Sequence, residues 1–467
     1  MLGQKPLPLK STLSGMHWPA VPKPDATAML ALLWQLEQSQ WWSPEVLAAQ
    51  QRRQLRAVCE HAIATVPQWG QRFAAAGLTA AAAQDANDWR RLPTLARREL
   101  QLAGEAALSA APPKDHGRRT WHTTGGSTGE PLRVQTTALG GLAWRVLTLR
   151  EHLWHGRDFS AKLASIRYVQ QGDASPPHGL LAKNWGSATR DLVETGPCAV
   201  LHVNSTTDEQ AAWLAEQNPD YLLTYPSLVA GLARHFIEAG TPLARLREVR
   251  TFGEILEPET RALCAEAWDV RTVDSYSSEE FGYLALQCPE HEHYHVQSEN
   301  VLLEVLDDDD QPCAAGEIGR VVVSSLHNFA MPLLRYEIGD YAEVGEACPC
   351  GRGLPVLKRI VGRQRNMFTL PDGRRRWPLL DARDLAAVFE ELPPILKFQV
   401  VQRSLDELEI KLVAARPLTA SEEQSVRDYA VRGLGHPFEI QFTYLDDIPR
   451  TPRGKYEEFR SEVNPDG

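Results

Sequence analysis

Long apolar runs are missing from this 467-residue chain, so no stretch has the length of a membrane-spanning helix. Met1 to Asp25 carries prolines and lysines where a secretion signal would need an apolar core, and the expected location is the cytoplasm, with no membrane partner. Positive charge is also short: 49 Lys and Arg against 60 Asp and Glu leave a net charge of -11, which argues against a nucleic-acid partner. Cysteines number seven, few and odd, so a disulfide framework is not expected. Internal repeats and extended low-complexity tracts are absent, and Asp307 to Asp310 reads as a short solvated acidic turn. What remains is 43% hydrophobic, enough for two or three cored domains.

The most informative stretch present is Thr124-Gly125-Gly126-Ser127-Thr128-Gly129-Glu130-Pro131. Its glycines let backbone N-H groups approach an anion, and its hydroxyls add neutral donors, so the stretch suits a phosphate-wrapping loop. The same composition also suits a surface turn. No Gly-Lys-Ser/Thr ends the loop, so it is not the Walker A type.

Along the chain, Leu142 to Gly362 alternates β-rich runs such as Tyr221 to Thr224, Val249 to Phe252 and Gly319 to Val323 with helical stretches Ser227 to Ala239 and Glu257 to Trp268. Such alternation predicts an α/β sheet with helices on its faces. Beyond Gly362 the pattern changes to strands at Lys397 to Val401 and Glu409 to Val413, a helix at Ser421 to Val431 and a strand at Phe438 to Tyr444. The expectation is therefore a large α/β N-terminal domain, residues 1–362, and a smaller, mobile α+β C-terminal domain, residues 363–467.

Four further segments follow the glycine loop in order: Phe252-Gly253-Glu254; Asp274-Ser275-Tyr276-Ser277-Ser278-Glu279-Glu280-Phe281-Gly282; Leu334-Arg335-Tyr336-Glu337-Ile338-Gly339-Asp340; and Ile448-Pro449-Arg450-Thr451-Pro452-Arg453-Gly454-Lys455. With Trp41-Trp42-Ser43, Gln51, Leu55 and Leu92-Pro93-Thr94-Leu95 ahead of them, the set resembles the adenylate-forming acyl-CoA ligase superfamily, and within it the phenylacetate-CoA ligase branch. The resemblance runs over most of the chain. It implies activation of a carboxylic acid with ATP to an acyl-adenylate, followed by transfer to coenzyme A. A carrier-protein thiol, an amine or a hydroxyl are alternative acceptors, and a non-catalytic nucleotide-binding homologue is the reading from another class.

The resemblance assigns roles residue by residue. Thr124, Gly125, Gly126, Ser127, Thr128 and Gly129 would hold ATP phosphates; Gly253, Glu254, Ser275 and Tyr276 would surround the nucleotide, with Tyr276 stacking on adenine. Glu280 would hold Mg²⁺, Asp340 the ribose, and Arg335 a phosphate. Lys455 would bridge the substrate carboxylate and the α-phosphate, a task suited to its compact ammonium, and would leave when the tail rotates for thioester formation. Departures from the pattern are Ser277 for a glycine, Glu279 for a Ser or Thr, Arg365 at a hinge position normally acidic or lysine, and Asn366 for a common aspartate.

Cys288, in a run ending at His295, and Cys348-Pro349-Cys350 supply three thiols and an imidazole, the donor set of a structural zinc site. Many members of the branch carry zinc on ligands matching Cys288, His295, Cys348 and Cys350; free thiols beside a solvated histidine run are the alternative. Tyr225, Pro226 and Phe252 match the walls of the acid pocket, and aromatic walls suit an aryl or arylacetic acid, although the same side chains also suit a core. A homodimer is also expected from the branch.

Overall fold

The computed structural model describes residues 7–123, 132–169, 174–363, 366–376, 395–451 and 455–463. Among these, twelve strands form one sheet in the spatial order Val301–Leu306, Ile318–Ser325, Tyr336–Val344, Val356–Arg363, Tyr294–Val296, Gly282–Gln287, Arg271–Ser278, Glu248–Phe252, Tyr221–Thr224, Leu163–Arg167, Cys198–His202 and Leu180–Ala182. The run from Arg271–Ser278 through to Cys198–His202 is parallel. Its strands are largely buried because helices cover both faces, as parallel sheets require.

The helices of this half begin and end on local signals. Thr206 and Glu209 form a capping box for Thr207–Gln217, Pro226 and Pro258 occupy first-turn positions, and Asn218, Gly240 and Asp269 end their helices in the left-handed region. Helix Ala138–Trp154 is fastened to the sheet by a buried ionic group: Arg157 reaches Glu151 at 3.0 Å and Glu248 at 2.5 Å, and Arg250 also pairs with Glu151.

The expected α/β alternation stops after Ser278. From Gly282 to Arg363 the strands are antiparallel and no α-helix intervenes among the described residues, so the right-hand part of the α/β expectation is corrected to an antiparallel extension. The connections between these strands are about eleven residues or fewer, below the dozen or more that a parallel crossover needs. The N-terminal helix Pro44–Thr65 lies on this extension, where Gln51 donates to the carbonyls of Ser298 and Val301 at 3.0 and 2.8 Å.

In the tail, strands Glu439–Tyr444, Glu407–Ala414, Ile395–Gln402 and Phe459–Ser461 make a separate four-stranded sheet. Glu407–Ala414 alternates buried and less buried residues because helix Ala420–Leu434 contributes to a core on one side of the sheet. Phe368 and Leu370 join that core, and Gln402 clasps Thr369 with hydrogen bonds of 2.9 and 2.7 Å.

Candidate active site

The carboxyl ends of the parallel strands bring Tyr225, Phe252-Gly253 and Tyr276 to one edge of the sheet, the usual ligand position in open α/β folds. Tyr225 and Phe252 meet with ring centroids 4.7 Å apart, while Pro226 opens the helix Pro226–Ala239 behind them. Gly253 has φ +77°, and a Cβ there would lie 3.5 Å from Tyr225 Cε1 and 3.6 Å from Lys455 Nζ. The small backbone at Gly253 thus gives the ammonium of the tail lysine room beside the aromatic pair.

Tyr276 donates to Asp340 Oδ2 at 2.8 Å. Burial, with the neighbouring Asp340 carboxylate, holds the Tyr276 phenol well above its ordinary pKa, so it stays a donor. Arg363, on the last residue of its strand, reaches Asp340 Oδ1 at 3.1 Å. Glu280 is buried, and its pKa is raised by burial despite Arg97, whose guanidinium is 3.7 Å away. A carboxylate so placed suits a cation, which would favour its charged form. Ser275 is buried and donates to the Thr251 carbonyl at 3.3 Å.

Thr124, Gly125, Gly126, Ser127, Thr128 and Gly129 lie outside the described residues. The strands on either side of them, Arg119–Thr123 and Arg133–Thr137, pair antiparallel from Thr123 opposite Arg133. Arg365 likewise lies outside the described residues.

One assignment changes. Arg335 does not serve as a phosphate partner: its backbone is left-handed at φ 45°, and its buried guanidinium donates to the carbonyls of Arg90 and Leu92, both at 2.6 Å, beside Glu304. Glu254 is engaged by protein on both oxygens, accepting from the Ser227 N-H and hydroxyl at 3.0 and 2.6 Å and from the Tyr456 N-H at 2.7 Å. Its carboxylate thus links the body to the tail. Conversely, Arg97 and Arg363, which meet Glu280 and Asp340, were missed by sequence reasoning: Arg97 is 183 residues from its partner, and strand pairing rather than any local motif brings Arg363 to Asp340.

Some distance along the same sheet, Cys288, His295, Cys348 and Cys350 place their donor atoms within 4.8 Å of one another. Cys288 Sγ is 3.8 Å from Cys348 Sγ, and Cys350 Sγ is 3.4 Å from His295 Nε2. Tetrahedral zinc with ordinary bond lengths would separate two sulfurs by about 3.8 Å and a sulfur and a nitrogen by about 3.5 Å, so the set fits the ion. Burial lowers the His295 pKa to about 3, keeping the imidazole neutral as a ligand must be. Arg352 supports the cluster: it donates to Cys350 Sγ at 3.5 Å and to Gln40, and lies between the rings of Trp41 and Trp154.

Comparison with known proteins agrees with this architecture. Residues 379–461 match the CapK C-terminal domain. The chain is 26% identical over 394 residues to phenylacetate-coenzyme A ligase of Thermus thermophilus, covering 82% of this chain and 84% of that one. It is 25% identical over 436 residues to the phenylacetate-coenzyme A ligase of Escherichia coli, covering 88% and 93%. The crystal structure of 2-hydroxyisobutyryl-CoA ligase in the postadenylation state, complexed with R3-HIB-AMP, has the same fold, with a TM-score of 0.66 at 18% identity over 88% of this chain and 89% of that one. The chain thus has the fold of an adenylate-forming CoA ligase. Over most of its length it is similar to the phenylacetate-coenzyme A ligases.

Proposed function

We propose that this enzyme activates an aromatic or arylacetic acid with ATP, releasing pyrophosphate, and passes the acyl group from the acyl-adenylate to coenzyme A. The observation that carries the reading is the position of Lys455: its ammonium stands beside Gly253, next to the Tyr225 and Phe252 rings. An acid whose ring lies against those side chains would present its carboxylate to the lysine, which offsets the repulsion between that carboxylate and the α-phosphate. As the carboxylate oxygen attacks phosphorus and the bond to pyrophosphate breaks, the same ammonium balances charge on the bridging oxygens. Asp340 would accept ribose hydroxyls and Tyr276 would pack on adenine, with residues 124–129 serving the phosphates. Glu280 would hold Mg²⁺, which when bound neutralises phosphate charge.

The names of the relatives support the acid class and the coenzyme A acceptor. We assign residues 1–362 to the adenylating body and 363–467 to a lid that carries Lys455, and Cys288, His295, Cys348 and Cys350 to a structural zinc. A carrier-bound thiol is the alternative acceptor for the same adenylate. Incubation with phenylacetate, benzoate and hydroxylated analogues, ATP and coenzyme A, followed by mass spectrometry, tests the assignment. Acyl-coenzyme A thioester and AMP are the expected products; adenylate that accumulates with coenzyme A present would redirect the acceptor to another nucleophile.

A further inference from the structure

The contact that brings Lys455 into place is built around one carboxylate. Ser227 is the second residue of helix Pro226–Ala239, whose N-cap Tyr225 offers no side-chain acceptor. Glu254 supplies it from another element: Oε2 takes both the Ser227 N-H and hydroxyl. A carboxylate at a helix N-terminus sits in a favourable field, so this half is fixed within the body.

The other oxygen faces the tail. Glu254 Oε1 accepts the Tyr456 N-H at 2.7 Å and lies 3.7 Å from the Arg450 guanidinium. Arg450 in turn donates to Ser227 Oγ at 2.7 Å, so that hydroxyl gives its proton to Glu254 and accepts from Arg450. Inside the tail, the Thr451 N-H donates to the Lys455 carbonyl at 2.8 Å and the Lys455 N-H to Thr451 Oγ1 at 3.1 Å. Holding Arg450 and Tyr456 therefore fixes the chain on both sides of Lys455.

We propose that Glu254, Ser227 and Arg450 form a latch that docks the tail on the body and positions Lys455 for adenylation, without contacting substrate. The proposal rests on the adenylating role given above to Lys455. Turning the tail away would remove both tail partners of Oε1 and leave the Oε2 contacts with Ser227 intact, so the body half stays preformed for re-docking. Glu254→Gln would place an amide N-H₂ against either the Ser227 donors or the Tyr456 N-H, and one side of the latch must break.

Two measurements test this. In Glu254→Gln and in Ser227→Ala, ATP-pyrophosphate exchange should fall by about tenfold or more, the loss expected for a charge-assisted hydrogen bond, while thioester formation from supplied acyl-adenylate and coenzyme A stays near the wild-type rate. Spin-labelled non-natural residues at the exposed positions Glu238 and Gln424 report docking without catalysis. Wild type should give one short distance, and both variants should add a longer population. Unchanged exchange and unchanged distances in both variants would overturn the latch. A shifted distance in a protein whose wild type shows no exchange would keep the latch and reject the adenylating role.

Discussion

Lys455 carries the largest single expectation at the level of residues. With the side chain cut back to its Cβ in Lys455→Ala, adenylation should fall by about a hundredfold or more, the scale of losing one preorganised electrostatic donor. Thioester formation from supplied acyl-adenylate should persist, because the lysine serves the first half-reaction; parallel loss of both half-reactions would remove its assignment. Asp274 offers a test by pH. It is buried, accepts from Thr251 at 2.6 Å and from Tyr294 at 2.7 Å, and burial raises its pKa from 3.8 to about 6. Since the folded state binds this proton more tightly, the group's contribution is full below about pH 4 and declines on the order of 3 kcal/mol as pH rises through about 6. Urea titrations should therefore show Asp274→Asn more costly at pH 5 than at pH 8; equal cost at both would contradict the raised pKa. At this scale the motifs single out Tyr276, Glu280, Asp340 and Lys455, and the structure sets Tyr276 against Asp340 and Lys455 beside Gly253. The sequence misled at Arg335, whose nearness to Asp340 along the chain says nothing about its left-handed backbone, and it did not reveal the partners of Glu254, since Ser227 and Tyr456 are 27 and 202 residues away.

Secondary-structure elements are joined by two arrangements with different consequences. The ionic group of Glu151, Arg157, Glu248 and Arg250 links helix Ala138–Trp154 to the strand Glu248–Phe252 with every charge buried. Glu151→Ala leaves two guanidiniums short of a partner and should cost about 3–5 kcal/mol in chemical denaturation, against much less for truncating an exposed ion-pair residue such as Glu60. A small effect would mean that water relaxes into the gap. The Cys288, His295, Cys348 and Cys350 cluster ties strand Tyr294–Val296 to the turn before Val356–Arg363. One zinc per chain is expected from elemental analysis, and a chelator that strips it should lower the melting temperature; a metal-free protein with an unchanged melting temperature would sink the assignment. The parallel strands and their helices could be read from apolar runs and caps. The antiparallel extension could not, since its strands also read as apolar runs and a run of apolar residues carries no information on strand direction.

The whole molecule brings together groups separated by hundreds of residues. The site takes Arg97 from the helical lead-in, Tyr225, Gly253 and Tyr276 from the parallel sheet, Asp340 from the antiparallel extension and Lys455 from the tail. Change of pattern past Gly362 made the tail visible in sequence, whereas its docked position depended on the contacts of Arg450 and Tyr456, which no local pattern encodes. No helix among the described residues is long and apolar enough to cross a membrane. The central claim is that this assembly makes acyl-adenylates, and ATP-pyrophosphate exchange over a panel of aromatic acids tests it most directly. The account predicts acid-dependent exchange in the wild type that disappears in Lys455→Ala; no exchange with any acid despite bound ATP, or undiminished exchange in the variant, would contradict it.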